Sequence, residues 1–206
     1  MLITYFIIAL TILVSWFAFN DQQLFYRLSF SPYQVKHHKE WYRAFTHAFV
    51  HADLVHIILN MYVLYIFGTN LENQMFDHYG INGKFQFCIL YVGGILFSTL
   101  ISFSRHQNDQ NYVSVGASGA VAALIFACVI MEPQMRLMLF ILPIPIPGFI
   151  FGLLYLVAEF LLDKYSKNNI AHDAHFAGAI FGIVFICIFD IEAMKNFLNY
   201  INYYFR

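Results

Sequence analysis

Apolar stretches alternate with polar segments along the chain, and the apolar stretches set the predicted architecture. Six of them are long enough to cross the ~30 Å hydrocarbon core of a bilayer as helices. The predicted spans cover residues 2–19, 54–71, 85–103, 113–131, 148–162 and 174–191. We therefore predict an all-α membrane protein in which residues 1–206 form one domain and residues 192–206 form a short tail.

The fourth stretch differs from the others because a polar tetrapeptide, residues 116–119, opens it. A helix from Ser118 to Met131 rises ~1.5 Å per residue and is about 20 Å long, so Ser118 should lie roughly 10 Å inside the membrane. Residues 108–115 should then line a water-filled cavity, because non-helical backbone cannot face lipid. The pattern predicts a hydroxyl, water and a helix N-terminus in one place. A small-residue patch for helix packing is the alternative.

Composition supports a membrane protein and narrows its partners. The chain is 60% hydrophobic and 11% charged, whereas about a quarter of the residues in soluble domains are charged. A net charge of −1 gives no basic patch, so we predict the lipid bilayer as surroundings and no nucleic-acid partner. The three cysteines lie in three different apolar stretches without a C-x-x-C pair, which indicates packing.

The first loop, residues 21–46, is rich in aromatic residues, which suit the headgroup interface of a membrane. We predict that it lies partly in that interface. With the two other loops on its side it holds seven basic residues, against four on the opposite side. By the positive-inside rule, this count weakly places both termini on the outer side.

Two polar residues share one face of the second predicted span. His56 and Asn60 are four residues apart, and a polar side chain at membrane depth normally faces a cavity or another helix. They are either interhelical hydrogen-bonding residues or donors at a functional site. A metal site formed by His47, His51 and His56 is the other functional hypothesis, but these histidines do not form an H-E-x-x-H motif. We predict no metal.

The sixth span carries Gly178 and Gly182, which form a G-x-x-x-G packing face. If this face packs on the small residues that open the fourth span, His175 comes to lie beside Ser118. His172 is the rival partner, but it lies one turn earlier, toward water and off the glycine register. The spacing favours a pair between Ser118 and His175.

The carboxylates nearest in sequence do not extend this pair. Asp173 is two residues from His175 and would point away from it on a helix. Glu159 in the fifth span is a candidate for a buried carboxylate, although its position shortly before Asp163 favours a carboxylate that reaches the interface. We therefore predict a serine and a histidine without a third, acidic member.

Three motifs together resemble the rhomboid intramembrane serine proteases: Gly116-x-Ser118-Gly119, His175-x-x-Gly178-x-x-x-Gly182 and His51-x-x-x-x-His56-x-x-x-Asn60. The resemblance covers about residues 41–190 and implies a six-helix bundle with a short central serine-bearing helix. It implies Ser118 as nucleophile and His175 as base. It also implies an oxyanion hole made by the Ser118 backbone N–H, His56 and Asn60. Structural support is implied for Gly116, Gly119, Gly178, Gly182, His51, Arg43 and Glu72.

The resemblance further implies cleavage of transmembrane protein substrates without a cofactor, in a bacterial inner membrane with the site open to the outer side. It thus contradicts the charge count. Many members carry an aromatic residue four positions after the serine, where this chain has Ala122. His175 must then be oriented by another group, and Tyr155, Phe176 or a backbone carbonyl are the candidates.

Two other functions remain open from the sequence, and the oligomeric state is not predicted. An inactive rhomboid-like protein could bind transmembrane clients. A proton-coupled transporter could use His56, His175 and Glu159 as a relay, although the chain shows no inverted repeat.

Overall fold

The computed structural model describes residues 1–139, 142–165 and 170–206. Lys167, one of the basic loop residues counted above, lies outside the described residues. Within the described chain, four helices are long and apolar enough to cross a membrane: Leu2–Asn20, Leu54–Tyr79, Ile81–His106 and His172–Phe189. The shorter apolar helix Ser118–Met131 accompanies them. The predicted helical membrane architecture is confirmed at this level, and six spans remain a prediction.

We number the helices in chain order. They are α1 (Leu2–Asn20), α2 (Gln22–Leu28), α3 (Pro32–His38), α4 (Arg43–Thr46), α5 (Leu54–Val63), α6 (Thr69–Tyr79), α7 (Ile81–His106), α8 (Ser118–Met131), α9 (Gly148–Tyr165), α10 (His172–Phe189) and α11 (Ile191–Tyr204). A 3-10 turn, His47–Phe49, follows α4. A π-helical segment, Leu64–Gly68, joins α5 to α6 as one continuous helix.

The serine-bearing helix α8 forms the centre of the fold. It packs against α7 and α10, and almost every residue from Gly119 to Ile130 is buried. Two glycines of α10 allow this approach. A Cβ atom at Gly178 would lie 2.0 Å from the carbonyl oxygen of Gly119, and one at Gly182 would lie 2.3 Å from the carbonyl oxygen of Ala123. Only glycine allows the backbones of α8 and α10 to lie this close.

The all-α prediction needs one correction, because a β-hairpin follows α8. Strand β1 (Arg136–Leu139) pairs antiparallel with β2 (Leu142–Pro147). The prolines at 143, 145 and 147 predict that no helix forms here. A hairpin agrees with that prediction. Each strand of a two-stranded hairpin keeps one unpaired edge, where a missing proline N–H costs nothing.

The C-terminal residues 192–206, predicted as a short tail, form most of helix α11. The carboxylate of Asp190 caps this helix by accepting a 2.9 Å hydrogen bond from the backbone N–H of Ala193. None of the residues of α11 is buried, so the helix lies on the outside of the bundle.

Glu72, predicted as a structural residue, ties the start of α1 to α6. Its buried carboxylate accepts hydrogen bonds from the backbone N–H groups of Ile3 (3.1 Å) and Thr4 (2.9 Å) and from the Thr4 hydroxyl (2.8 Å). The Met1 amino group lies 2.7 Å from the same carboxylate. A carboxylate at a helix N-terminus satisfies free N–H groups and interacts favourably with the helix dipole.

The first loop folds into the short helices α2, α3 and α4, and Arg43 holds them together. Its buried guanidinium donates hydrogen bonds to the carbonyl oxygens of Tyr26 and Ser29 and pairs with Glu40. The ion pair with Arg43 holds the pKa of the Glu40 carboxyl below its usual range. Residues of this loop line an open cavity of about 880 Å³, together with residues 110, 111 and 113.

Candidate active site

Ser118 is the first residue of α8, and the backbone before it is shaped by Gly116. Gly116 has a φ of +111°, a conformation that side chains with a Cβ atom rarely adopt. A Cβ atom there would also lie 2.8 Å from the ring of His56. A glycine is therefore required at this position for two reasons: the positive φ of the turn into α8 and the close approach of the His56 ring.

His175 reaches Ser118 from the first turn of α10. Its Nε2 lies 2.7 Å from the Ser118 hydroxyl oxygen, which is a hydrogen-bonding distance. The close packing of Gly178 on Gly119 sets this distance, because Gly178 follows His175 by one turn of the helix. The structure thus brings together the two residues that the sequence pairs.

The structure corrects the prediction for Glu159. Its carboxylate does not reach the interface: Glu159 is only 8% exposed and accepts a 3.1 Å hydrogen bond from His175 Nδ1. Asp163, one turn later in α9, is the carboxylate at the surface, where it pairs with Arg105 at 2.8 Å. The prediction that no carboxylate joins the serine and histidine is therefore wrong. Of the candidates for orienting His175, Tyr155 hydrogen-bonds to the Glu159 carboxylate, and Glu159 itself contacts the ring.

His172 also lies elsewhere than predicted. It is buried rather than turned toward water, and its Nδ1 lies 2.6 Å from the second oxygen of Glu159. The reason is that Glu159 has two carboxylate oxygens and serves both histidines at once. Asp173 points away from His175, as predicted, and accepts a 2.6 Å hydrogen bond from the Ser102 hydroxyl.

The two predicted oxyanion donors lie on α5. The Nδ1 of His56 accepts a 3.4 Å hydrogen bond from the backbone N–H of Ala52, so its proton is on Nε2, at the edge of the ring that contacts Gly116. Asn60 is buried, and its side-chain Nδ2 donates to the His56 carbonyl oxygen at 3.0 Å. One N–H of the Asn60 amide remains for another acceptor.

The ring of His51 packs against the ring of His56. The two rings meet edge to face with their centroids 4.9 Å apart. The Ser15 hydroxyl donates to the Phe49 carbonyl oxygen (2.9 Å) and accepts from His51 Nδ1 (3.0 Å), which anchors His51 to α1. Burial, together with the neighbouring His56, lowers the pKa of His51 to about 3, so the ring is neutral at physiological pH.

His47 has a structural role that the sequence does not predict. Its backbone carbonyl accepts a 2.9 Å hydrogen bond from the N–H of Gly116, which ties the first loop to the turn before Ser118. A second tie is the bridge between Phe30 and Ser114. Burial lowers the pKa of His47 to about 4, and its Nδ1 bonds the Arg43 carbonyl. The first loop therefore positions the serine from outside the bundle.

Residues 38–190 match the sequence profile of the Rhomboid domain. The chain belongs to the rhomboid family. The predicted family is thereby confirmed, and with its long apolar helices the rhomboid chain is an integral membrane protein.

Three relatives illustrate the similarity. RHOMBOID-like protein 12, mitochondrial, from Arabidopsis thaliana is 26% identical over 82% of this chain and 52% of its own length. Presenilin-associated rhomboid-like protein A, mitochondrial, from Danio rerio is 28% identical over 68% of this chain and 35% of its own. Rhomboid-like protein 11, chloroplastic, from Arabidopsis thaliana is 28% identical over 76% and 55%. This chain thus spans from about a third to about half of the length of these relatives. Their names do not support the predicted bacterial plasma membrane.

Proposed function

We propose that this rhomboid protein is an intramembrane serine endopeptidase. The observation that carries the proposal is the 2.7 Å contact between Ser118 Oγ and His175 Nε2 at the N-terminus of a buried apolar helix. A serine hydroxyl is a weak nucleophile until a positioned base removes its proton, and a neutral imidazole is suited to that task. The rhomboid family includes intramembrane serine proteases.

In the proposed reaction, His175 Nε2 takes the proton of Ser118 as the hydroxyl oxygen attacks the carbonyl carbon of the scissile bond. The imidazolium then gives this proton to the leaving amine, and water hydrolyses the acyl-enzyme by the same route. Glu159 accepts from His175 Nδ1, which leaves Nε2 unprotonated and stabilises the imidazolium when it forms. The reaction uses no cofactor.

The negative charge on the carbonyl oxygen would be stabilised by three donors. These are the Ser118 backbone N–H, His56 Nε2–H and the remaining N–H of Asn60. The positive end of the α8 dipole adds to them. In a low-dielectric site such donors stabilise the charge more strongly than in water.

The proposed substrate is a transmembrane segment of another membrane protein. Its backbone hydrogen bonds must be broken before a peptide bond can reach Ser118, so segments with small or helix-breaking residues near the outer boundary are favoured. In this proposal the chain forms a single six-span bundle with α8 as a short central span. The site would open toward the side of the membrane on which the first loop lies.

A fluorophosphonate probe tests the proposal without knowledge of the natural substrate. We expect labelling of Ser118 in the purified protein, and cleavage of a model transmembrane substrate that is lost in Ser118→Ala. The Ser118→Ala protein should elute from gel filtration like the wild type. Cleavage retained by Ser118→Ala would rule out the proposed nucleophile. A folded wild type that neither reacts nor cleaves would instead favour a client-binding rhomboid without activity.

A further inference from the structure

Glu159, His172 and His175 form a cluster of three metal-ligating side chains. Each offers one donor atom, and these atoms all lie within 4.8 Å of one another. Two imidazoles and one carboxylate are a common zinc donor set with an open fourth position. Zinc–ligand distances of ~2.0–2.2 Å place tetrahedral donors about 3.4 Å apart, so side-chain rotations of roughly 1 Å would complete the site.

The charge of the cluster also favours a cation. The Glu159 carboxylate is buried, and a buried carboxylate requires a compensating positive charge. Among the described residues its ion-pair partners are the two histidines, while the nearest arginine, Arg105, pairs with Asp163. A proton shared with a histidine can supply the positive charge, and so can a divalent metal ion.

The cluster is reachable from solvent on one side. The side chains of Glu159 and His172 are 10% and 7% exposed, whereas that of His175 is 18% exposed. A small hydrated ion can therefore enter along His175, next to Ser118. This is a different group of residues from His47, His51 and His56, whose spacing does not match the H-E-x-x-H zinc motif.

We propose that Glu159, His172 and His175 bind a divalent cation of the zinc class, and that the bound ion switches off the proposed protease. A metal on Nδ1 of His175 leaves the only ring proton on Nε2. That nitrogen then donates to Ser118 instead of accepting its proton, so the base is lost. The inhibition rests on the proposed function, whereas the binding does not.

Binding is tested on the Ser118→Ala protein, purified in detergent with an affinity tag that contains no histidine. Cobalt chloride is the probe, because Co²⁺ takes zinc sites and absorbs visible light when bound by nitrogen and oxygen ligands. We expect one Co²⁺ per chain, displaced by zinc, and a rise in Tm with added zinc. Glu159→Gln and His172→Asn should each reduce the affinity at least tenfold.

His106→Gln is the matched control. His106 and Asp109 form an exposed pair of potential ligands 3.9 Å apart, and removing it should leave the Co²⁺ affinity unchanged. If the Glu159 and His172 variants do not fold, zinc protection of His175 from diethyl pyrocarbonate, mapped by mass spectrometry, takes their place, because His175 is the more exposed of the two histidines. The proposal is overturned if Ser118→Ala shows no saturable Co²⁺ binding, if zinc leaves His175 unprotected, or if folded Glu159→Gln binds Co²⁺ as tightly as its parent.

The inhibition is tested on the wild type. Zinc should abolish labelling of Ser118 by the fluorophosphonate, EDTA should restore it, and His172→Asn should require at least tenfold more zinc. Labelling that is insensitive to saturating zinc would overturn the inhibitory part. A wild type that binds Co²⁺ but never reacts with the probe would overturn the proposed function and leave the metal site standing.

Discussion

Replacing Glu159 by glutamine tests whether the carboxylate orients the proposed base. In the structure the two oxygens of Glu159 accept from His175 Nδ1 at 3.1 Å and from His172 Nδ1 at 2.6 Å, and Tyr155 hydrogen-bonds to the same carboxylate. A glutamine has one acceptor oxygen, and its NH₂ group cannot accept. Glu159→Gln must therefore leave one histidine without its acceptor, while the volume of the side chain stays the same.

The size of the effect follows from which histidine loses its partner. If His175 does, its ring can turn or place its proton on Nε2, and the analogous change in a soluble serine protease lowers kcat by about 10⁴. If glutamine keeps its oxygen on His175, only the stabilisation of the imidazolium is lost. We expect kcat to fall by about 10²–10⁴, or roughly 3–5 kcal/mol in the barrier. KM should change little, because Glu159 is not placed to contact substrate.

The assay measures kcat and KM on a model transmembrane substrate, the rate of fluorophosphonate labelling and the Tm of the same sample. Asp163→Asn is the control: it removes a carboxylate one turn away on α9, from a partly exposed pair with Arg105 that contributes little to stability. Its kcat should stay near that of the wild type. The reasoning is refuted if Glu159→Gln keeps kcat within threefold of the wild type, or if its loss of activity only parallels a loss of Tm.

Three further outcomes can be measured with the same preparations. His172→Asn should lower kcat about tenfold without changing KM, because His172 contacts one oxygen of Glu159 but does not contact Ser118. Full activity of this variant would show that His172 contributes only to packing. His56→Ala and Asn60→Ala should each lower kcat by ~10²–10³ with a smaller change in KM, and an equal loss of Tm would instead indicate structural roles. The Tm should fall as the pH is lowered from 6.5 toward 4. The folded pKa values of about 4 for His47 and about 3 for His51 lie below the ordinary 6.5, so the unfolded chain binds more protons in that range. For His47 alone the loss is roughly 3 kcal/mol, and a Tm constant over this range would contradict it.

Local patterns predicted the apolar helices and the pairing of Ser118 with His175, but not the short helices of the first loop or α11. The G-x-x-x-G spacing of α10 determines which face packs closely, and the polar residues opening α8 determine where the helix begins. Helix ends were less predictable: α5 and α6 continue through a π-helical segment to Tyr79, well beyond residue 71. Hydropathy falls toward Tyr79, but Leu71 and Met75 of this segment pack in the hydrophobic core, and Glu72 is buried where it caps α1.

The place of Glu159 could not be derived from its own helix. Two carboxylates, Glu159 and Asp163, lie four residues apart on one face of α9, and either could be the one that reaches the surface. The choice depends on Arg105 of α7, which pairs with Asp163 and leaves Glu159 facing α10. One sequence signal was available, since an acidic residue inside an apolar stretch is costly unless it has a polar partner.

The contacts of Glu159 also account for the alanine at position 122. Where many rhomboid proteases are expected to stack an aromatic ring on the histidine, Ala122 is buried in a small cluster with Phe126 and Ala179, so α8 and α10 lie close together. A stacked ring restrains an imidazole by contact with its face, whereas Glu159 restrains His175 through Nδ1 and fixes the position of its proton as well. In this chain the group that contacts Nδ1 of His175 comes from α9. Because the carboxylate comes from another helix, the orientation of His175 depends on the packing of α9 against α10. Any change that separates these two helices should weaken the proposed base before it unfolds the bundle.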